Sequence, residues 1–357
     1  MSRLHFVSLS IALSFVITAT HDANAVQFSY LAPGYTQEIY AGPSVGVPGA
    51  WTSTNQLLAR NNGNVLEYSA VQNAVYQGTN VHDVTVVHSI AGLANGANLT
   101  KATDGMLYLP SSVGLQRVDP NNWATPAATL TSIGGPGYGV NALPNGNVVY
   151  AAGGNSDQVY LYNPNTNSNT LVYSSPTLID DIETSSTGLI ALAGQGNNSI
   201  IFLDSAGNFV SSFATTNYPD GLAFAATASP PALYSNDNQG TITRYDFGGG
   251  YSAAPTATTI IASGGSYGDI ATVGPDCAFY VTQFYNNGFH GSAIFGTHWD
   301  NGTINNDSSI IRIGSKDDAC LFDPPVDVPE PLSFVLAGVA AAVATGRRPR
   351  REATTSR

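Results

Sequence analysis

Apolar positions along the chain fall into short runs, and the runs come in pairs separated by turn residues. The first members are Leu57-Leu58-Ala59, Met106-Leu107-Tyr108-Leu109, Val148-Val149-Tyr150-Ala151, Leu189-Ile190-Ala191-Leu192, Ala232-Leu233-Tyr234 and Ala278-Phe279-Tyr280-Val281. The second members are Val65–Ser69, Leu115–Asp119, Val159–Asn163, Ile200–Asp204, Ile242–Asp246 and Ile310–Gly314, whose last residues are 50, 44, 41, 42 and 68 apart. Between members lie Gly, Asn and Asp, as in Asn61-Asn62-Gly63 and Asn236-Asp237-Asn238-Gln239-Gly240. Short apolar runs bounded by such residues predict buried strands joined as hairpins. The pattern therefore predicts six antiparallel units.

A period near 40–45 residues with several strands per unit is the mark of a β-propeller, each sheet forming one blade. A pair of β-sandwiches is the alternative, but sandwich strands have no reason to repeat one strand–turn–strand pattern at one period. The predicted fold is all-β, a six-bladed β-propeller plus or minus one blade, over residues 26–323. The last unit stops soon after its third strand, while Tyr35–Ala41 (YTQEIYA) has no partner near the first. Pairing those two would close the ring and remove its free edges. In repeat style the chain resembles the NHL and gluconolactonase-like propellers. That resemblance implies an architecture and brings no catalytic signature. The family's metal-binding Glu of the first blade has Gly49-Ala50 at the matching place.

Both ends read as addresses. Arg3, the apolar run Phe6–Ala19 and Ala23-Asn24-Ala25 have the order of a secretory signal peptide, residues 1–25. The other end carries Val328-Pro329-Glu330-Pro331, the apolar stretch 332–346 and Arg347, Arg348, Arg350 and Arg351 within a tail of residues 347–357. This order resembles a PEP-CTERM sorting domain, in which the Pro-Glu-Pro motif, a transmembrane helix and an Arg-rich cytoplasmic end are recognised by the membrane protease exosortase. Residues 324–331 are then a linker, kept extended by Pro329 and Pro331. The arginines hold the end on the cytoplasmic side. The 15-residue apolar run is about 22 Å long as helix, short of the roughly 30 Å hydrocarbon core, which suits a temporary anchor. An ordinary permanent anchor is the alternative. The resemblance covers about the last 25 residues.

Composition narrows the function classes. Charged residues make up only 10% of the chain and its net charge is −12. Residues 26–329 hold six basic and 21 acidic side chains, a net charge of −15, and 18 of those acids are Asp. Such a field repels phosphate backbones, so no nucleic-acid partner is expected. Much of the acidity is turn chemistry, since Asp bonds nearby backbone. Cys277 and Cys320 are the two cysteines; in an exported chain a disulfide is favoured over two free thiols.

Candidate chemistry is sparse. Asn98, Asn141, Asp181, Asp220 and Asp269 stand near the starts of successive innermost strands, 43, 40, 39 and 49 apart. As a ring at the mouth they are a candidate ligand or metal site, hard oxygen donors suited to Ca²⁺ or to sugar hydroxyls. Turn caps are the alternative. The sixth unit carries an insertion, residues 283–308, whose Tyr285, Phe289, Phe295 and Trp299 are candidate contacts for a glycan or protein partner. His290 and His298 in the same insertion are a weak metal pair. Gly264-Gly265-Ser266-Tyr267-Gly268 matches a nucleophile-elbow pattern in the wrong strand context, and no phosphate loop, HExxH motif or dinucleotide fingerprint is present.

The expected function is that of an exported binding or structural propeller of a Gram-negative cell surface or exopolysaccharide matrix. Signal peptidase and exosortase are its processing partners, and a polysaccharide or surface protein is its ligand. A divalent-metal-dependent lactonase or lyase using the acidic ring is the rival.

Overall fold

The computed structural model describes residues 27–41, 58–61, 64–69, 74–78, 84–94, 96, 98–225, 228–265, 267–274, 277–284, 309–317 and 320–322. Signal peptide, sorting motif, apolar stretch and Arg-rich tail lie outside these residues. Within them the chain is an all-β propeller with no α-helix; the one helical turn is the three-residue 3₁₀ segment Gln195–Asn197.

The strands form six antiparallel sheets. Their innermost strands are Leu58–Asn61, Thr100–Lys101, Val140–Ala142, Ile179–Thr184, Pro219–Phe224 and Tyr267–Val273. Each touches the next, and the last touches the first, so the sheets stand around an axis. In every sheet the chain runs outward by hairpins, and three of the described turns after an innermost strand carry a glycine with positive φ, at Gly105, Gly146 and Gly188. At Gly146 φ is +88°, a conformation an L side chain rarely adopts.

The closure predicted from Tyr35–Ala41 is present. That strand pairs with Ser309–Ser315 as the outer strand of the last sheet, in a register that sets Glu38 opposite Arg312; the two side chains form an ion pair at 3.0 Å. Ahead of it, Tyr30–Leu31 adds a fifth strand to the preceding sheet. Phe28 is buried, and the Gln37 side chain clasps its backbone, accepting from the N–H at 3.0 Å and donating to the carbonyl at 2.7 Å. The start of the described chain thus straps two sheets together.

The core lies between neighbouring sheets, which explains the continuous apolar runs. Middle strands are covered on both faces, so Val148–Ala152 and Ile190–Gly194 are buried throughout, while the outer strand Ser168–Ser174 is half exposed. Between two sheets Phe202 meets Phe213, Phe224, Phe247 and Tyr251 with ring centroids 5.1–6.4 Å apart. Burying one such ring contributes roughly 1.5–3 kcal/mol.

The expected Cys277–Cys320 disulfide is formed, with Cα atoms 4.9 Å apart. It ties the turn of the last inner hairpin to the chain beyond the last strand. Phe322 follows, fully buried against Tyr234 and Phe279 at 4.7 and 5.3 Å and bridged to Ala225.

Candidate functional site

The last ladder pair of each inner hairpin fixes equivalent positions around the axis: Lys101 with Leu107, Ala142 with Val148, Thr184 with Ile190, Phe224 with Leu233 and Val273 with Phe279. Counting back from these pairs separates the five candidate ring residues onto three levels. Thr100, Asn141 and Glu183 stand one residue back. Asn98, Gly139, Asp181, Gly221 and Ile270 stand three back. Asp180, Asp220 and Asp269 stand four back. The last three inner strands also carry a register shift at these residues, between Ile179 and Ile182, Pro219 and Gly221, and Gly268 and Ala271. Such bulges re-aim side chains beside a site. The Asp269 side chain lies outside the described residues.

The described ring side chains reach across sheets, and two of them also bond the next backbone N–H of their own strand: Asn141 Oδ1 accepts from Ala142 at 2.7 Å, and Asp181 accepts from Ile182. The Asn141 amide donates to the Ile182 carbonyl at 3.2 Å and to Glu183 Oε2 at 2.7 Å in the next sheet. Thr100 Oγ1 donates to Asn141 Oδ1 from the previous one. Asp181 Oδ2 accepts the Leu222 N–H at 2.9 Å, again one sheet on. At the middle level Asn98 donates to Asp181 Oδ1 at 3.3 Å although a whole sheet intervenes. Glycine at position 139 lets the neighbouring strand approach closely: a Cβ there would come within 2.5 Å of Ile182 Cγ1.

At the outer level Asp180 and Asp220 hold equivalent places on neighbouring innermost strands, and Gln195 donates to Asp220 Oδ1 at 2.7 Å. Asp180, Asp181 and Asp220 are 5%, 2% and 0% exposed. Burial pushes Asp180 up to about 6 despite its bond from Asp220. Burial also pushes Asp181 up to about 7, opposed by the N–H groups of Leu222 and Ile182. Asp237, whose carboxyl takes Asn217 at 2.8 Å and the N–H groups of Gln239 and Thr241, is raised by burial too. Next to it Asn236 accepts from Gln283, both fully buried.

Sequence reasoning missed Asp180, Glu183, Gln195, Asn236, Asp237 and Gln283. The signal that finds them is the 40-residue step itself. Asp180 to Asp220 is 40, whereas Asp181 to Asp220 is 39, and a bulge hides that one-residue difference.

Both Asp181 oxygens accept hydrogen bonds inside the protein. Among the described residues no group of three or more His, Cys, Asp or Glu side chains is arranged to hold a metal ion. The insertion aromatics Tyr285, Phe289, Phe295 and Trp299 lie outside the described residues.

No family model matches the chain, and no curated protein matches it. Among solved structures it is similar to a catalytically inactive virginiamycin B lyase from Staphylococcus aureus with quinupristin (13% identity, TM-score 0.52, 78% of this chain and 99% of that one). It is also similar to the PQQ-bound aldose sugar dehydrogenase of Streptomyces coelicolor (11%, 0.53, 80% and 99%) and to a luciferin-regenerating enzyme (10%, 0.58, 83% and 100%). At these identities the likeness is one of fold alone, that of a β-propeller.

Proposed function

We propose that the chain is an exported binding or structural propeller, each of its six sheets a blade, delivered to the cell surface or exopolysaccharide matrix by exosortase through its PEP-CTERM tail. One observation carries the non-catalytic part. The described polar side chains at the axis join neighbouring sheets to one another, which is the work of a scaffold. The delivery part is supported by the order of Arg3, Ala23-Asn24-Ala25, Pro329-Glu330-Pro331 and the terminal arginines. Docking of a polysaccharide or surface protein is assigned to Tyr285, Phe289, Phe295 and Trp299.

The test is made in an exosortase-containing host. The intact chain is expected to lose its tail and reach the surface, and replacement of Pro329, Glu330 and Pro331 by alanine is expected to retain it in the membrane. An unchanged mature mass in both would overturn the sorting reading.

The metal-dependent lactonase or lyase remains the second reading because Asp269 shares the level of Asp180 and Asp220, and three carboxylates there would suit Ca²⁺. It requires a stoichiometric divalent ion that Asp220→Asn with Asp269→Asn removes.

A further inference from the structure

We propose that the membrane-anchored propeller stands on average with its axial carboxyl end away from the membrane, because the Cys277–Cys320 clip fixes the exit of the chain at the opposite end. The inference rests on the tail being a membrane anchor and concerns where on the body that anchor is attached.

The two ends of the axis are told apart by the course of the chain. Each innermost strand starts at the end that holds Asp180, Asp181 and Asp220 and finishes at the tight turn of its hairpin. Gln195, Asp237 and Gln239 belong to the second turn of each sheet, which returns to the carboxyl end. Ser205 lies in the third turn, at the far end, where it sits 3.2 Å from the Cβ position of Gly188 in the first turn.

The chain enters and leaves at opposite ends. Tyr30 pairs with Ser263, the last residue of an outer strand, so Phe28 and the N-terminus belong to the carboxyl end. The last strand, Ser309–Ser315, runs the other way and delivers Cys320 to the far end. There the disulfide binds it to Cys277 in a first turn, and Phe322 bridges Ala225 just past the end of Pro219–Phe224. Phe322 is fully buried, so the exit point is fixed by a covalent bond and a ring in the core. Only nine residues separate Phe322 from Leu332, where the apolar stretch begins, a reach of roughly 35 Å at full extension. A tether that starts at the far end brings that end nearer the membrane, on average, than the carboxyl end. The carboxyl end is further out by about one inner strand, roughly 20 Å for six residues.

The orientation is read by energy transfer from a fluorescent non-canonical residue to acceptor lipids, with the full chain in vesicles. The probe replaces Ser205 or, in a second protein, Gln239, both exposed. Transfer from position 205 is expected to exceed that from 239 several-fold. Equal or reversed transfer in protein that floats with the vesicles overturns the orientation alone. Protein that does not float overturns the anchoring on which it rests. Cys277→Ser with Cys320→Ser is expected to shrink the difference between probes while flotation persists, and an undiminished difference would overturn the role of the clip.

Discussion

The carboxyl of Asp181 decides how the axis behaves. Its proton is held by burial, so the sign of its effect on stability follows directly. A group whose folded pKa is raised stabilises fully below its unfolded value near 4 and loses that contribution as pH rises through the folded value. For Asp180 and Asp181 that window runs from about 4 to about 7. Denaturant titrations are expected to show stability falling by about 2–4 kcal/mol between pH 5 and pH 8, since each tenfold change in proton affinity is worth about 1.4 kcal/mol. Asp181→Asn mimics the neutral carboxyl and is expected to lose less than half as much; an unaltered pH profile would contradict the assignment. Gly139 is the companion case. Gly139→Ala places a methyl against Ile182 and is expected to destabilise by about 1–3 kcal/mol through overpacking, seen as a lower denaturant midpoint. The Asn and Asp types near the axis were legible in the sequence because the repeat marks inner strands. Their levels were not, because a bulge adds a residue without changing the apolar pattern, and cross-sheet partners such as Asn98 and Asp181 are 83 residues apart.

Among the elements, the apolar runs announced their own strands since middle strands are covered on both sides and read as continuous hydrophobic words. The closing strand Tyr35–Ala41 was legible for a different reason: the last unit lacked a fourth strand and this segment lacked a partner. What the pattern did not show is the pair of straps. Tyr30–Leu31 is only two residues long, and Phe322 is a lone aromatic after the last repeat, so neither makes a periodic signal. Phe322→Ala is expected to cost about 3–5 kcal/mol, typical of a large ring removed from a core. Replacing both cysteines by serine is expected to cost about 2–4 kcal/mol from the loss of a 43-residue cross-link. Thermal denaturation of the two variants measures both; a cost below about 1 kcal/mol for Phe322→Ala would show that the exit segment is not seated in the core.

For the whole molecule, few charges and much Asp fit a body whose acids cap surface turns and whose axis is joined by side-chain hydrogen bonds between sheets. Turn capping is visible at Asp204, which accepts the N–H groups of Ala206 and Asn208 at 2.9 Å. The axial acids do something else, taking donors from neighbouring sheets. On the scaffold reading proposed above, these buried carboxyls serve the hydrogen bonds between sheets and hold no divalent ion. The most direct test is elemental mass spectrometry of the purified protein together with its melting temperature at pH 5 and pH 8, with and without a calcium chelator. The account predicts no stoichiometric ion, no effect of chelator, and higher melting at pH 5. One tightly bound divalent ion per chain, with a melting temperature that falls on chelation, would contradict it and return the axis to the metal-dependent enzyme.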